Sequence, residues 1–303
     1  MNTKKAAYLL PALSGISWGT AGLFVRPLSA WGMNSVTILE SRAWIGALAL
    51  GIFLFIKDRS LLKIRFKDLW TIAAASLIGT LGLNICYNCS INSLTLSLAA
   101  VLLGLAPFFV VLLAAPLFKE KITLKKALCT AAAFFGCVLV SGVLESGSGL
   151  SWTPAGILIG VVSGFFYALY SIFSRMAMNR GCHALTVTFY CFTIVTIVLL
   201  PFTSWGLIGS FAAAAPLKNG LFMLANALCI AILPYVLFNT GLRYMETGIA
   251  SVLASTEPVA AMVFGIIAYS EIPSLLSLTG MAVVLVSLGI ISLGDSKKSG
   301  QEG

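Results

Sequence analysis

Three ionisable side chains, Glu40, Arg42 and Glu257, stand inside runs of residues that are otherwise apolar. A charge at membrane depth costs about 2.5–3.5 kcal/mol on insertion scales, so such residues are expected to face protein or water. Glu40 and Arg42 are two apart, a spacing at which helical side chains do not face each other, so their partners come from elsewhere. Arg42 offers forked donors that suit a carboxylate. It is a candidate anchor for the carboxylate of a solute, and equally a candidate for a permanent pair with Glu257 or Glu40. Glu257 is a candidate carrier of a coupling proton, because burial disfavours the charged form of a carboxyl. Glu40 lies near the end of its run, where water is expected to reach it.

A second set is polar and aromatic. Ser163, Tyr167, Tyr170, Ser171 and Ser174 recur at helical spacing and mark one face. Thr80, Asn84, Tyr87 and Asn88 mark another, and Tyr235 and Asn239 stand four apart. Asn and Tyr side chains within a bilayer need partners, so these faces turn either to neighbouring helices or to a wet cavity. Aromatic walls with a few fixed polar groups suit small organic solutes with flat or apolar side chains. The lining candidates are therefore Trp18, Arg42, Asn84, Tyr87, Asn88, Tyr167, Tyr170, Ser171, Tyr235 and Asn239. Trp31, Trp70, Trp152 and Trp205 border apolar runs and read as interfacial anchors. Glu120, Glu271, Arg26 and Arg175 read as structural boundary residues.

The elements that must hold these groups follow from composition. Of 303 residues 59% are hydrophobic and 10% charged, and the mean hydropathy is +1.01; a soluble domain averages about 25% charged. Ten apolar runs are long enough to span a bilayer, near 6–26, 35–56, 70–90, 97–118, 124–144, 154–175, 184–205, 219–242, 248–269 and 274–294. They predict ten transmembrane helices, helix one to helix ten. Placing the N-terminus in the cytoplasm puts 16 of the 19 basic residues on the inside, as the positive-inside rule requires. The net charge of +9 is thus a topology signal and no nucleic-acid surface, and both termini are expected to be cytoplasmic. Lys4-Lys5 before the first run resembles a signal peptide, but the run is too long for a typical apolar core and is read as helix one.

Enzyme chemistry finds little support. His183 is the sole histidine, no HExxH run or P-loop is present, and no Asp is expected within a span. Cys86-x-x-Cys89 lacks a second pair, so packed thiols are preferred to a metal site. No cofactor or metal is expected.

The chain repeats itself. At an offset of 149, Ser14-Gly15 falls on Ser163-Gly164, Phe24 on Phe173, Arg26 on Arg175 and Gly32 on Gly181. After a longer connection over 203–219 the offset becomes 151, and Asn88 meets Asn239, Val101-Leu102 meets Val252-Leu253, Pro107 meets Pro258 and Glu120 meets Glu271. The expected units are 1–148 and 149–295, with a short polar cytoplasmic tail over 296–303. Five spans per copy invert the second copy, a plan typical of secondary transporters with a midplane site. Pro107 and Pro258 are expected to bend helices four and nine as paired hinges.

Trp18-Gly19, Arg42, Pro107, Glu120 and Gly136, then Leu253, Glu257-Pro258, Ala261 and Glu271, resemble in order the EamA-type members of the drug/metabolite transporter superfamily, across residues 6–294. The resemblance implies a basket of helices one to four and six to nine around a central cavity, with five and ten outside. It implies transport of small metabolites across the bacterial cytoplasmic (inner) membrane, often export of amino acids or related compounds. The small-molecule solute and the lipid bilayer are the expected partners, with protons a candidate coupling ion. An uncoupled facilitator and a multidrug-type exporter use the same fold. The copies are chemically unequal: Ala106 stands opposite Glu257, and Cys191 opposite Arg42.

Overall fold

The computed structural model describes residues 7–93, 96–141, 143–144, 153–270 and 272–296; Glu271, Trp152, the Asn88 side chain and the tail beyond 296 lie outside the described set. Among the described residues the chain is helical throughout, and it is an all-α polytopic membrane protein. Helix one comprises Leu9–Gly19 and Ala21–Ala30, helix two Ser35–Lys57, and helix three Phe66–Ala74 and Gly82–Ser93 about a π-helical stretch, Ala75–Leu81. Helix four comprises Leu96–Leu103 and Ala106–Phe118, helix five Leu124–Val140, helix six Pro154–Asn179 and helix seven Ala184–Leu199. Helix eight comprises Pro216–Asn226 and Leu233–Leu242 about the π-helical stretch Ala227–Ile232. Helix nine comprises Thr247–Ala254 and Glu257–Tyr269, and helix ten is Leu275–Ser296. Seven of these are crossings by length and hydropathy alone.

Local chemistry sets the ends. Asn34, Thr123, Thr153 and His183 accept hydrogen bonds from early backbone amides of the helices they precede, satisfying orphan donors. Pro107 and Pro258 do more than bend their helices. Each sits in the opening positions of a second segment, where its missing amide costs nothing, and the preceding segment has already ended. The break in helix nine resets its register: Ala250, Ala254 and Gly265 are buried, but Ala261 and Ala268 are exposed. A second departure from expectation is Asp68, which opens helix three and is buried beside Arg65 (2.6 Å) and Arg180 (3.6 Å). The long connection 203–219 holds a further short helix, Trp205–Ala214.

Unusual backbone recurs at the sequence offsets. Gly32 and Gly181 have φ of 91° and 94°, and Lys119 and Ser270 have φ of 56° and 54°, pairs separated by the two offsets noted above. The π-helical stretches of helices three and eight, and the breaks of four and nine, are paired in the same way. Neighbours in space follow the order one, eight, two, seven, three, six, four, nine and back to one. Exchanging the copies maps the ring onto itself: the pairs two–seven and four–nine map onto themselves and every other neighbouring pair onto another. Helices five and ten lie outside it and pack on each other.

That outer pair depends on two glycines. A Cβ at Gly280 would fall 2.6 Å from the Gly136 carbonyl oxygen and from the Val140 nitrogen. Backbone cannot yield as a side-chain tip can, and overpacking of this kind costs about 1–3 kcal/mol. Gly280→Ala is expected to lower the thermal midpoint of the detergent-solubilised protein. Gly22→Ala, whose Cβ meets nothing within 4 Å, should leave it unchanged or raise it.

Candidate functional site

Inside the ring, Trp18 of helix one makes edge contacts with Tyr235 (5.4 Å between centroids) and Tyr167 (6.0 Å), and Tyr235 packs on Tyr170 (5.2 Å) and Phe192 (4.9 Å). Helix one reaches this depth because it is small where it meets helix nine. A Cβ at Gly15 would lie 2.1 Å from Thr256 Oγ1, and one at Gly19 would lie 2.6 Å from the Ala260 Cβ. The Thr256 hydroxyl, at the break in helix nine, donates to the Ala12 carbonyl at 2.7 Å. The broken helix is thereby fastened to helix one at the level of Glu257.

Around this wall stand the charges. Arg42 Nη2 donates to Asn84 Oδ1 at 3.4 Å, and Asn84 Nδ2 donates to the Thr80 carbonyl at 2.7 Å. Glu257 is near enough to act electrostatically on Tyr87, Tyr167 and Tyr235, and Tyr235 also lies within reach of Arg42. Arg42, Asn84, Tyr87, Tyr167 and Glu257 are all half-buried, enclosed by the bundle yet not sealed in it. Among the described residues no ion pair joins Arg42 to Glu257 or to Glu40, and Glu257 makes none at all. The permanent internal pair that was one alternative for Arg42 is therefore not formed here.

The remaining candidates divide by neighbour. Tyr170 donates to Asn239 Oδ1 at 3.2 Å, and Asn239 Nδ2 donates to Thr188 Oγ1 at 3.1 Å, with all three residues buried. They form a strap across helices six, eight and seven. The buried Ser171 hydroxyl turns back to the Tyr167 carbonyl at 3.3 Å. An almost wholly apolar groove bordered by Leu124, Leu128, Ser287 and Ile290 runs between helices five and ten and holds none of the candidates.

Two placements depart from the sequence reading. Glu40 is fully buried (0% exposed) where contact with water was expected. Glu120, expected at a solvated boundary, has a largely enclosed side chain, 7% exposed, at the end of the bundle that carries most basic residues. Its Oε1 accepts from the Thr247 amide at 2.6 Å and its Oε2 from the Gly248 amide at 3.2 Å, so it caps the start of helix nine. Lys126 stands 3.5 Å from Glu120 and also pairs with Glu246. Arg175 Nη1 donates to the Met245 carbonyl at 2.9 Å beside this cluster. On the other side of the ring at the same end, Thr186 and Tyr190 of helix seven donate to the Leu61 and Leu62 carbonyls at 2.7 and 2.6 Å. Bonds between the copies thus draw the basic end together. The adjoining Lys119 and Lys121 suggested a boundary in the sequence, but the capped amides lie more than a hundred residues away.

Comparisons with known proteins bear on the family and the fold. The model of the EamA-like transporter family matches residues 5–142 and 154–293. An uncharacterized transporter of Archaeoglobus fulgidus is 29% identical over 91% of this chain and 92% of its own. The pseudopaline exporter CntI of Pseudomonas aeruginosa is 25% identical over 97% and 98%. A probable terminal-alkyne amino-acid exporter of Streptantibioticus cattleyicolor is 24% identical over 96% and 95%. A crystal structure that is 18% identical superposes with a TM-score of 0.74 over 95% of this chain and 96% of that one, a likeness of fold.

Proposed function

We propose that this chain, which belongs to the EamA-like transporter family, is an exporter of zwitterionic amino acids and related compounds that works by alternating access. The protein is a membrane transporter and not an enzyme; the solute class, direction and mechanism are our reading. One observation carries it. Arg42 and Glu257, residues of opposite charge type, form no ion pair with each other among the described residues, and both lie near enough to act electrostatically on Tyr235 of one aromatic wall. A forked guanidinium suits a carboxylate, a carboxylate suits an ammonium, and an aromatic wall suits a flat or apolar side chain. An α-amino acid carries all three features on one small frame. Two relatives named as exporters, one of them for an amino acid, support the same class.

The units 1–148 and 149–295 supply the two related halves that such a cycle needs. We place the protein in the cytoplasmic membrane with its basic end and both termini inside, in keeping with the positive-inside rule. On that placement the bonded basic end is a conformation closed to the cytoplasm.

The test is counterflow in proteoliposomes with labelled phenylalanine, competed by unlabelled phenylalanine, phenethylamine and 3-phenylpropionate. The two analogues keep the ring but carry one charge each. Each should compete at least about tenfold less well, the equivalent of about 1.4 kcal/mol. Equal competition by all three would mean that the two charges do not read the solute together.

A further inference from the structure

Glu40 has no part in the solute site, and its surroundings are unusual. Both carboxyl oxygens are buried and make no hydrogen bond among the described residues. Two other buried polar atoms are also unpaired: the hydroxyl of Thr196 on helix seven and, one turn along helix two from Glu40, the indole Nε1 of Trp44, whose ring packs on Trp205. Thr196 is close enough to act on the Glu40 carboxyl without reaching good hydrogen-bond geometry. Buried polar groups left unpaired need a reason.

No opposite charge supplies one. On helix two itself, Arg42 bonds Asn84 and Lys57 lies over the Phe53 ring at the far end. Helix seven offers only Tyr190 and Cys191, which are engaged with Leu62 and Thr80. Helix eight contributes Lys218 at its exposed start, Cys229 and Tyr235, and the short helix Trp205–Ala214 carries no titratable side chain. Arg26 of helix one lies over the Tyr269 ring at 4.5 Å, Arg59 lies over Phe55 at 4.0 Å, and Tyr87, Cys86 and Cys89 of helix three complete the neighbours. Burying a carboxylate with neither counter-charge nor hydrogen bond is strongly unfavourable, so this packing accommodates Glu40 as the neutral acid. The charged form would instead call on the Trp44 N–H and the Thr196 O–H, which requires the seam to shift. Helices two and seven are equivalents in the two copies. Their seam lies on the ring's own symmetry, where an exchange of roles between copies must rearrange contacts.

We propose that Glu40, with Thr196 and Trp44, is the proton site that couples transport to the membrane pH gradient. A proton from the outer water binds the carboxylate and favours the packing described here. It leaves to the inner side when the seam rearranges, one proton moving in as one solute moves out. Glu257 is left to the solute. This rests on the transporter reading, so the test has an arm that needs no solute.

That arm is infrared difference spectroscopy of the solubilised protein across a pH titration. The wild type should show a protonated carboxylic C=O band that Glu40→Gln removes and Glu257→Gln leaves in place. The other arm is phenylalanine accumulation in proteoliposomes under an imposed pH gradient. With the membrane potential clamped at zero, a one-for-one exchange of a proton for a zwitterion accumulates solute about tenfold per pH unit. Glu40→Gln should abolish this accumulation while keeping counterflow, and Thr196→Val should alter its pH dependence. If a folded wild type shows no such band, Glu40 is not the acid. If Glu40→Gln still accumulates solute, or a sodium gradient drives accumulation instead, the proton site is overturned. Failure of counterflow in the wild type together with an intact band would count against the solute assignment, not against Glu40.

Discussion

Glu257→Gln is expected to weaken phenylalanine binding by roughly 10- to 100-fold and to change which analogue competes best. A hydrogen bond to a charged group is worth about 1.5–3 kcal/mol, and about 1.4 kcal/mol is a factor of ten. The glutamine keeps the size and one acceptor but loses the charge that answers the ammonium. It also stops repelling a monoanion, so 3-phenylpropionate should gain on phenylalanine. Arg42→Gln should shift selectivity the opposite way, toward phenethylamine, and it removes the guanidinium that now bonds Asn84. The measurement is competitive counterflow on both variants with the three compounds. Opposite shifts in selectivity are the expected signature. A uniform loss across all three, identical in both variants, would mean that the charges hold the bundle and do not choose the solute.

Much of the fold could be read from the sequence because the solvent is severe. Ten apolar runs, basic loops and a proline in matching places each follow from what lipid permits. The site was legible only in part, and the reason is angular. Tyr167 and Tyr170 share a polar face in the sequence, yet the ring leaves Tyr167 half-buried near Glu257 and ties Tyr170 to Asn239. Periodicity gives the face but not which sector of it meets a neighbour. Glu40 shows the same limit, since its distance along the helix suggested water while the packing of helix seven excludes it. Asp68 was missed because helix three begins before its apolar run does, with Arg65 and Arg180 offsetting the charge. Glu120 could be found in principle through its match with Glu271, but its role as the cap of helix nine depends on tertiary proximity alone.

Lys126→Met is expected to be the most destabilising single change at the basic end. The ammonium is nearly sealed, at 5% exposure, between Glu120 at 7% and Glu246 at 40%. Removing it leaves Glu120 beside a second carboxylate, with two backbone amides and the more distant Arg175 to offset its charge. Breaking a buried pair by deleting one partner costs about 3–5 kcal/mol, a lowering of the thermal midpoint on the order of 10 °C. The exposed neighbour supplies the control: Lys125→Met should stay within about 0.5 kcal/mol of the wild type. Adding Glu246→Gln to Lys126→Met should recover part of the loss by removing one of the two repelling charges. A hydrophobic contribution from the lysine stem cannot produce that recovery, because methionine preserves most of the stem. If Lys126→Met melts with Lys125→Met, the cluster is not what holds helix nine against helix four, and the closed basic end must rest on the Thr186 and Tyr190 bonds across the ring.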